Sequence, residues 1–256
     1  MEISKYFLLF FIYSVIGWLI EVINLYIRTN KFVNRGFLIG PYCPIYGVGG
    51  VVITIFLTKY SNSLIVLFVM SSFLCGIIEY FTSYAMEKLF NARWWDYSYR
   101  KFNINGRICL ETLVPFGILG CVVIYITNPI LYNLFDLLNY SLINIIALIL
   151  LVIFVFDYIT SFKIISSFKE TTMTFLNRDN TEEITKKVRL ILSKKSFLTK
   201  RLVDAFPQFK TVISNIKNEF EKTKIELKST RKQLKNTQKE LKKIEKRMKK
   251  NSKKYK

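Results

Sequence analysis

Apolar residues in this chain come in long unbroken runs, without the 3.6-residue or two-residue period of half-buried helices or strands. Five runs stand out, at about Tyr6–Ile27, Pro44–Thr58, Ser63–Tyr84, Ile108–Ile126 and Ser141–Phe162. A helix needs roughly 20 apolar residues to cross a hydrocarbon core of about 30 Å. The runs therefore predict an all-α, polytopic membrane protein with about five transmembrane helices. The second run is short, and Pro41 and Pro44 precede and open it. Its Gly47, Gly49 and Gly50 allow a neighbouring helix to approach closely. Ahead of the first run the only basic residue is Lys5, no A-x-A site follows, and the apolar residues continue to Ile27. This predicts a retained helix and not a cleaved signal peptide.

Past residue 162 the pattern changes. From Phe206 an apolar residue returns every seventh position: Phe206, Ile213, Phe220, Leu227, Leu234, Leu241 and Met248. Three residues after the first six come Phe209, Ile216, Thr223, Thr230, Thr237 and Ile244. This is an a/d heptad register, which predicts a coiled coil weakened by its threonines. Glu219 and Glu226 fall at g, opposite Lys224 and Arg231 at the following e positions, the pairs of a parallel dimer. Between bundle and heptads, Asn180 and Glu183 form a helix-start signal. Ile184, Val188, Ile191 and Leu192 then share a face beneath lysines and arginines. The expected organisation is a transmembrane bundle over 1–162, a basic amphipathic juxtamembrane segment over 163–205, and a coiled-coil-like basic tail over 206–256.

Charge follows the same division. Residues 1–162 carry 10 Lys/Arg and 8 Asp/Glu, net +2, and residues 163–256 carry 28 and 10, net +18. Basic residues near a membrane attract anionic headgroups, so the lipid surface is an expected partner of the tail. Nucleic acid is a weaker candidate, because no stacking-aromatic pattern accompanies the charge. Arg28, Lys31 and Arg35 follow the first run, and Lys88, Arg93, Arg100, Lys101 and Arg107 follow the third. The alternate loops hold little beyond Lys59. The positive-inside rule then predicts the N-terminus outside and the tail in the cytoplasm of a cell-membrane protein.

Acids lie within the runs. Glu21 stands 15 residues into the first and Glu79 16 residues into the third. Both helices run inward, so the two acids share a depth of about 22–24 Å in a core of about 30 Å. Glu111 opens the fourth run and Asp157 closes the fifth, at the same level. Ionisable residues in hydrocarbon face the bundle interior and pair. Glu21, Arg35, Glu79, Arg107 and Glu111 thus form a candidate polar chamber; interfacial ion pairing by snorkelling is the plainer alternative. The loop from Asn34 through Gly36, Gly40, Pro41, Pro44 and Tyr46 to Gly47 is apolar and rich in glycine and proline. Such backbone occurs at membrane depth where protein covers it or where it lines a cavity. Trp94, Trp95 and Asp96 open a second such loop, in which paired tryptophans also fit an interfacial aromatic belt. Both loops lead into helix N-termini, and with two arginines this suits an anionic group.

Gly17–Glu21, Asn34–Gly47, Glu79-Tyr80, Glu87–Phe90, Trp94–Ser98 and Phe102–Arg107 resemble the pattern of the bacterial ABC-transporter type IV permease family, over about residues 7–130. The resemblance implies a permease-like subunit of a transporter. No G-x-x-x-x-G-K-[ST] occurs, so the expected ATPase is a separate subunit. Few helices in one chain also point to a homo-oligomer joined through the coiled coil. Histidine is absent, which removes imidazole chemistry. The four cysteines are scattered without a CxxC, and no nucleophile–base pair stands out. No catalytic residue, metal site or cofactor is expected, and an intramembrane enzyme is the weakest reading. A scaffold or regulator that recruits partners through the tail is the alternative to a transporter.

Overall fold

Each apolar run folds as a helix. The computed structural model describes residues 2–90, 92–173, 200–201, 204–205, 210–211, 230–231 and 234. Helix α1 spans Glu2–Thr29, α2 Pro44–Leu57, α3 Leu64–Phe90, α4 Leu110–Val122, α5 Asn128–Asp136 and α6 Tyr140–Met173. A 3-10 turn, Thr58–Tyr60, extends α2, and a π-helical turn, Val123–Thr127, joins α4 to α5. Among the described residues four helices are long and apolar enough to cross a membrane: Ile3–Thr29, Leu64–Phe90, Leu110–Asp136 and Tyr140–Ser166.

The expected short span at Pro44–Thr58 is the helix Pro44–Tyr60, shorter than these four, and the loop before it explains why. After Thr29 the chain turns back along α1, so that α2 begins beside the middle turns of α1. The Cys43 N–H donates to the Ser14 carbonyl at 2.8 Å. Tyr46 lies over Gly17, and Gly47 packs on Ser14 and Phe10. A Cβ on Gly47 would stand 2.4 Å from the Phe10 carbonyl oxygen, so this crossing requires glycine. The fourth helical rod differs in the other direction. It passes Ile126, where Asn128-Pro129 reads as a helix stop, and continues to Asp136. Proline has no N–H to give to the preceding turn, and the π-helical turn Val123–Thr127 takes up the misfit.

Leu8, Leu9, Ile53, Leu57, Leu67, Val123, Phe135 and Ile143 form the apolar core at the Lys5 end of the bundle. Inside it Tyr13 donates to Asn128 Oδ1 at 2.6 Å and lies 2.9 Å from the Thr127 hydroxyl, while Asn128 Nδ2 donates to Thr54 at 3.0 Å.

The connection from α3 to α4 carries short strands: β1 (Ala92–Arg93), β2 (Asn103–Ile104) and β3 (Ile108–Cys109). β2 and β3 pair antiparallel. Asn105 and Gly106 turn the hairpin at φ 53° and 66°, conformations that Asn and Gly tolerate. The Arg107 N–H closes this turn on the Ile104 carbonyl at 3.0 Å.

The chain divides into two units, Met1–Thr211 and Val212–Lys256, and the six helices and the strands all belong to the first. The bundle boundary expected at residue 162 lies within α6, which runs to Met173. Lys210–Thr211, counted into a helical heptad from Phe206, form strand β4 and pair antiparallel with β1. The edge of β1 offers backbone partners there that a helix cannot use. Thr230, Arg231 and Leu234 are helical. The amphipathic helix expected from Asn180 and the rest of the coiled coil lie outside the described residues.

Candidate functional site

The loop over residues 30–43 is held in the bundle by its own polar groups. Trp18 Nε1 donates to Asn34 Oδ1 at 2.7 Å, and Asn34 Nδ2 donates to the Ile39 carbonyl at 2.9 Å. Asp157, on α6, collects the backbone N–H groups of Ile39 (3.0 Å) and Gly40 (2.7 Å) and the hydroxyls of Tyr42 and Ser161. Buried backbone donors require such acceptors. Asp157 was legible as an acid at the right depth, but its use as a clamp for the loop was not. Burial and the Asp157 carboxylate push the Tyr42 hydroxyl well above the ordinary tyrosine range. Burial and the nearby Glu21 carboxylate push the Cys43 thiol up to about 12, against the opposing pull of Arg35.

So anchored, the loop brings Arg35 to Glu21, with Nε 3.2 Å from Oε2. The first turn of α2 brings the Tyr46 hydroxyl to the other oxygen of Glu21 at 2.7 Å. Opposite, Glu79 on α3 accepts from the Tyr97 hydroxyl at 3.2 Å through Oε1. Glu79 is buried, and its Oε2 has no hydrogen-bond partner among the described residues. Burial together with the Glu79 carboxylate raises the Tyr97 hydroxyl far above its usual range, so it stays a donor. These five side chains face one cavity of about 440 Å³ between α1, α2, α3, α4 and α6. Most of its wall is apolar, from Ile16 and Ile20 through Ile78 and Leu119 to Phe154 and Phe162. It extends to Tyr13 and Thr127, so it reaches from the ion pair to the polar knot.

The remaining candidates part company with this cavity. Gly36 and Pro44 line it, while Gly40, Pro41 and Gly47 shape the loop and crossing behind it. Arg107, expected beside Glu79, instead meets Glu87 at 3.0 Å, Ser83 at 3.3 Å and the rings of Tyr80 and Tyr84. The hairpin turn delivers it toward the C-terminal end of α3, beyond Glu79. Glu111 is exposed and pairs with Arg100 at 2.6 Å, because it opens α4 on the outer side of the connection. Asp96 accepts from the Ser98 N–H at 3.0 Å and lies 3.6 Å from Arg93, which also meets Glu87 at 3.0 Å. Trp94 is turned inward against Phe37 and Phe90. Trp95 lines the cavity and donates to the Arg107 carbonyl at 3.1 Å. Glu87 is therefore the acid that sequence reasoning passed over. Its signal was the spacing Glu79, Ser83, Glu87, three residues four apart on one helix face.

At the mouth of the cavity the chain beyond α6 comes back. Arg35 Nη1 donates to the Ala205 carbonyl, and Arg201 Nη2 reaches the Phe37 carbonyl at 3.5 Å. Burial lowers the proton affinity of the Arg201 guanidinium.

A family model described as "Putative ABC-transporter type IV" matches residues 8–162, more than half of the chain. The match includes the whole of the cavity wall and reaches α6 and Asp157, beyond the stretch over which motifs alone carried the resemblance. The chain therefore belongs to this family, and its apolar helices are those of a multi-pass membrane protein. No curated protein and no solved structure matches it.

Proposed function

We propose, from that membership, that the chain is a permease-like subunit of an ABC-type transporter, with nucleotide hydrolysis on a separate chain. The solute site is the cavity between Glu21, Arg35, Tyr46, Glu79 and Tyr97. One observation carries this reading: a cavity of about 440 Å³ lies inside the helices and is walled by irregular backbone at Gly36 and Cys43. Non-helical backbone at membrane depth suits a solute path. Small-molecule sites have roughly 300–1,000 Å³, so one subunit holds room for a solute without a second copy.

Positive loops after α1 and α3 support an orientation with the Arg35 end of the bundle in the cytoplasm. The short α2 then completes an odd number of crossings, with the N-terminus outside and the tail inside. Single cysteines test this. One at Ser61 should label from outside intact cells, and those at Asn105 and Lys253 only after permeabilisation. Labelling of Lys253 from outside would remove the five-crossing arrangement. The transport reading is tested by purifying the full chain with its partners and assaying ATP-dependent solute movement in vesicles. Co-purification of an ATPase and loss of transport on filling the cavity are expected. Transport unaffected by a filled cavity would overturn the site.

A scaffold or regulator is the second reading, and the contacts of the chain beyond α6 favour it. Ala205 on Arg35, Arg201 on Phe37 and β4 on β1 link that region to the cavity mouth. A homo-oligomer through the tail belongs to this reading, and sedimentation of the full chain in detergent tests it.

A further inference from the structure

We infer that the cavity binds an amphipathic organic ammonium compound, its N–H donors on Glu79 Oε2 and its apolar body along the hydrocarbon wall. This rests on the reading of the cavity as the solute site and gives the class of solute.

Glu79 is 6% exposed, and its Oε2 is buried without a hydrogen-bond partner while it lines the cavity. Its Oε1 has the Tyr97 hydroxyl. Thr112, the other hydroxyl close to Glu79, donates instead to the Cys109 carbonyl at 2.8 Å. Other cations are engaged elsewhere: Arg35 serves Glu21, Arg107 and Arg93 serve Glu87, Arg100 serves Glu111, and Arg201 reaches the Phe37 carbonyl. A buried carboxyl with no countercharge and one oxygen without a donor is an unfinished arrangement, since buried charges are paired.

The chemistry of the missing partner follows. Arg35 and, at the mouth, Arg201 lie away from Glu79, on Glu21 and the Phe37 carbonyl, so an anion placed against Glu79 meets a carboxyl and no cation, against the expectation from arginines and helix N-termini. A neutral hydroxyl supplies a hydrogen bond but no charge. An ammonium supplies both, and charge-assisted bonds are the stronger kind. The wall leading away from Glu79, through Ile78, Leu119 and Phe154, is apolar, so a compact hydrated cation leaves it unfilled and an alkyl or aryl body fills it.

The test uses the full chain in detergent and three probes of one shape: 4-phenylbutylamine, 4-phenylbutanol and 4-phenylbutyrate, with affinities from calorimetry. The amine should bind once per chain and at least tenfold more tightly than the alcohol, and the carboxylate not at all. Glu79→Gln should lower amine affinity at least tenfold and leave the alcohol unchanged. Equal binding of amine and alcohol by the natural chain overturns the inference, whatever the fold of the variant. So does an amine that ignores Glu79→Gln. Amine-bearing lipid is separated from a free amine by repeating the titration in nanodiscs with and without phosphatidylethanolamine. Competition by that lipid assigns the site to a headgroup, and its absence to a soluble amine. Leu119→Trp, which fills the cavity, separates the two readings. If it stops transport while the amine never bound, the site stands and the ammonium falls. If the amine binds through Glu79 but transport survives Leu119→Trp, the ammonium stands and the transport path falls.

Discussion

Inside the Lys5 end, beneath the Lys5–Asp136 pair at 3.0 Å, the helices are joined by neutral side chains, near Arg35 by charged ones, and the two kinds of junction are completed to different degrees. Tyr13, Thr54, Thr127 and Asn128 satisfy one another across α1, α2 and the π-helical turn before α5. At the other end Glu87 is held by two arginines and Glu21 by one, yet Glu79 keeps an open oxygen. A closed neutral network adds order without asking for a ligand. An acid left open inside a bundle marks the place where the protein has kept a position for something else. Substitutions at the two ends should therefore separate junctions that hold the fold from the one that waits for a partner.

The largest effect is expected at Arg107. Its side chain and that of Glu87 are each 9% exposed, so Arg107→Ala strands a buried acid with Arg93 alone. Breaking a buried pair from one side costs about 3–5 kcal/mol. Thermal unfolding in detergent should fall steeply, with loss of expressed protein, and Arg107→Lys should recover only part because an ammonium does not reproduce the planar guanidinium against the Tyr80 and Tyr84 rings. Stability close to the natural chain would show that Glu87 is not dependent on this arginine.

A smaller loss is expected in the neutral knot. Asn128→Ala takes one partner from the Tyr13 and Thr54 hydroxyls, which keep Thr127 and the Gly50 carbonyl, at about 0.5–1.5 kcal/mol for each hydrogen bond lost. Adding Tyr13→Phe to Asn128→Ala should cost less than the sum of the two single changes, since the second removes a hydroxyl that has already lost its Asn128 contact. Additive losses in unfolding midpoint would mean that the knot is two independent contacts.

The ends also differ in how much of them was legible in the chain. Hydrophobic runs placed α1, α2, α3, α4 and α6, because hydrocarbon demands apolar length, while α5 lay beyond any of them. The glycine- and proline-rich stretch from Asn34 to Gly47 announced backbone that had to be covered. Depth alone put Glu21 and Glu79 together, and they share a cavity with Arg35. Depth failed for Arg107 because a turn of two left-handed residues carries it toward the C-terminal end of α3, and turn geometry overrides position along the membrane normal. The level at which α2 starts was hidden for a related reason. It depends on Asp157, 115 residues from Tyr42, and no local pattern reports so distant a clamp. The π-helical turn that lets α4 pass Pro129 was hidden as well, since proline there argues locally for a stop.

The smallest change in stability, and the sharpest test of the contrast, is expected at Glu79. Were Glu79 a finished structural residue like Glu87, Glu79→Gln would break a pair and destabilise as Arg107→Ala does. Its contacts argue otherwise. It has the Tyr97 hydroxyl on one oxygen and no arginine, so the amide keeps an acceptor for Tyr97 and removes a buried charge that lacks a counterion. Charge burial without pairing is unfavourable, so the exchange should leave stability unchanged within about 1 kcal/mol, or raise it slightly. Unfolding midpoints of the natural chain, Glu79→Gln and Glu87→Gln, measured without added ligand, decide the matter. The expected order is Glu79→Gln level with the natural chain and Glu87→Gln far below. A loss at Glu79 as large as that at Glu87 would make the two acids equivalent and the open oxygen a structural contact after all.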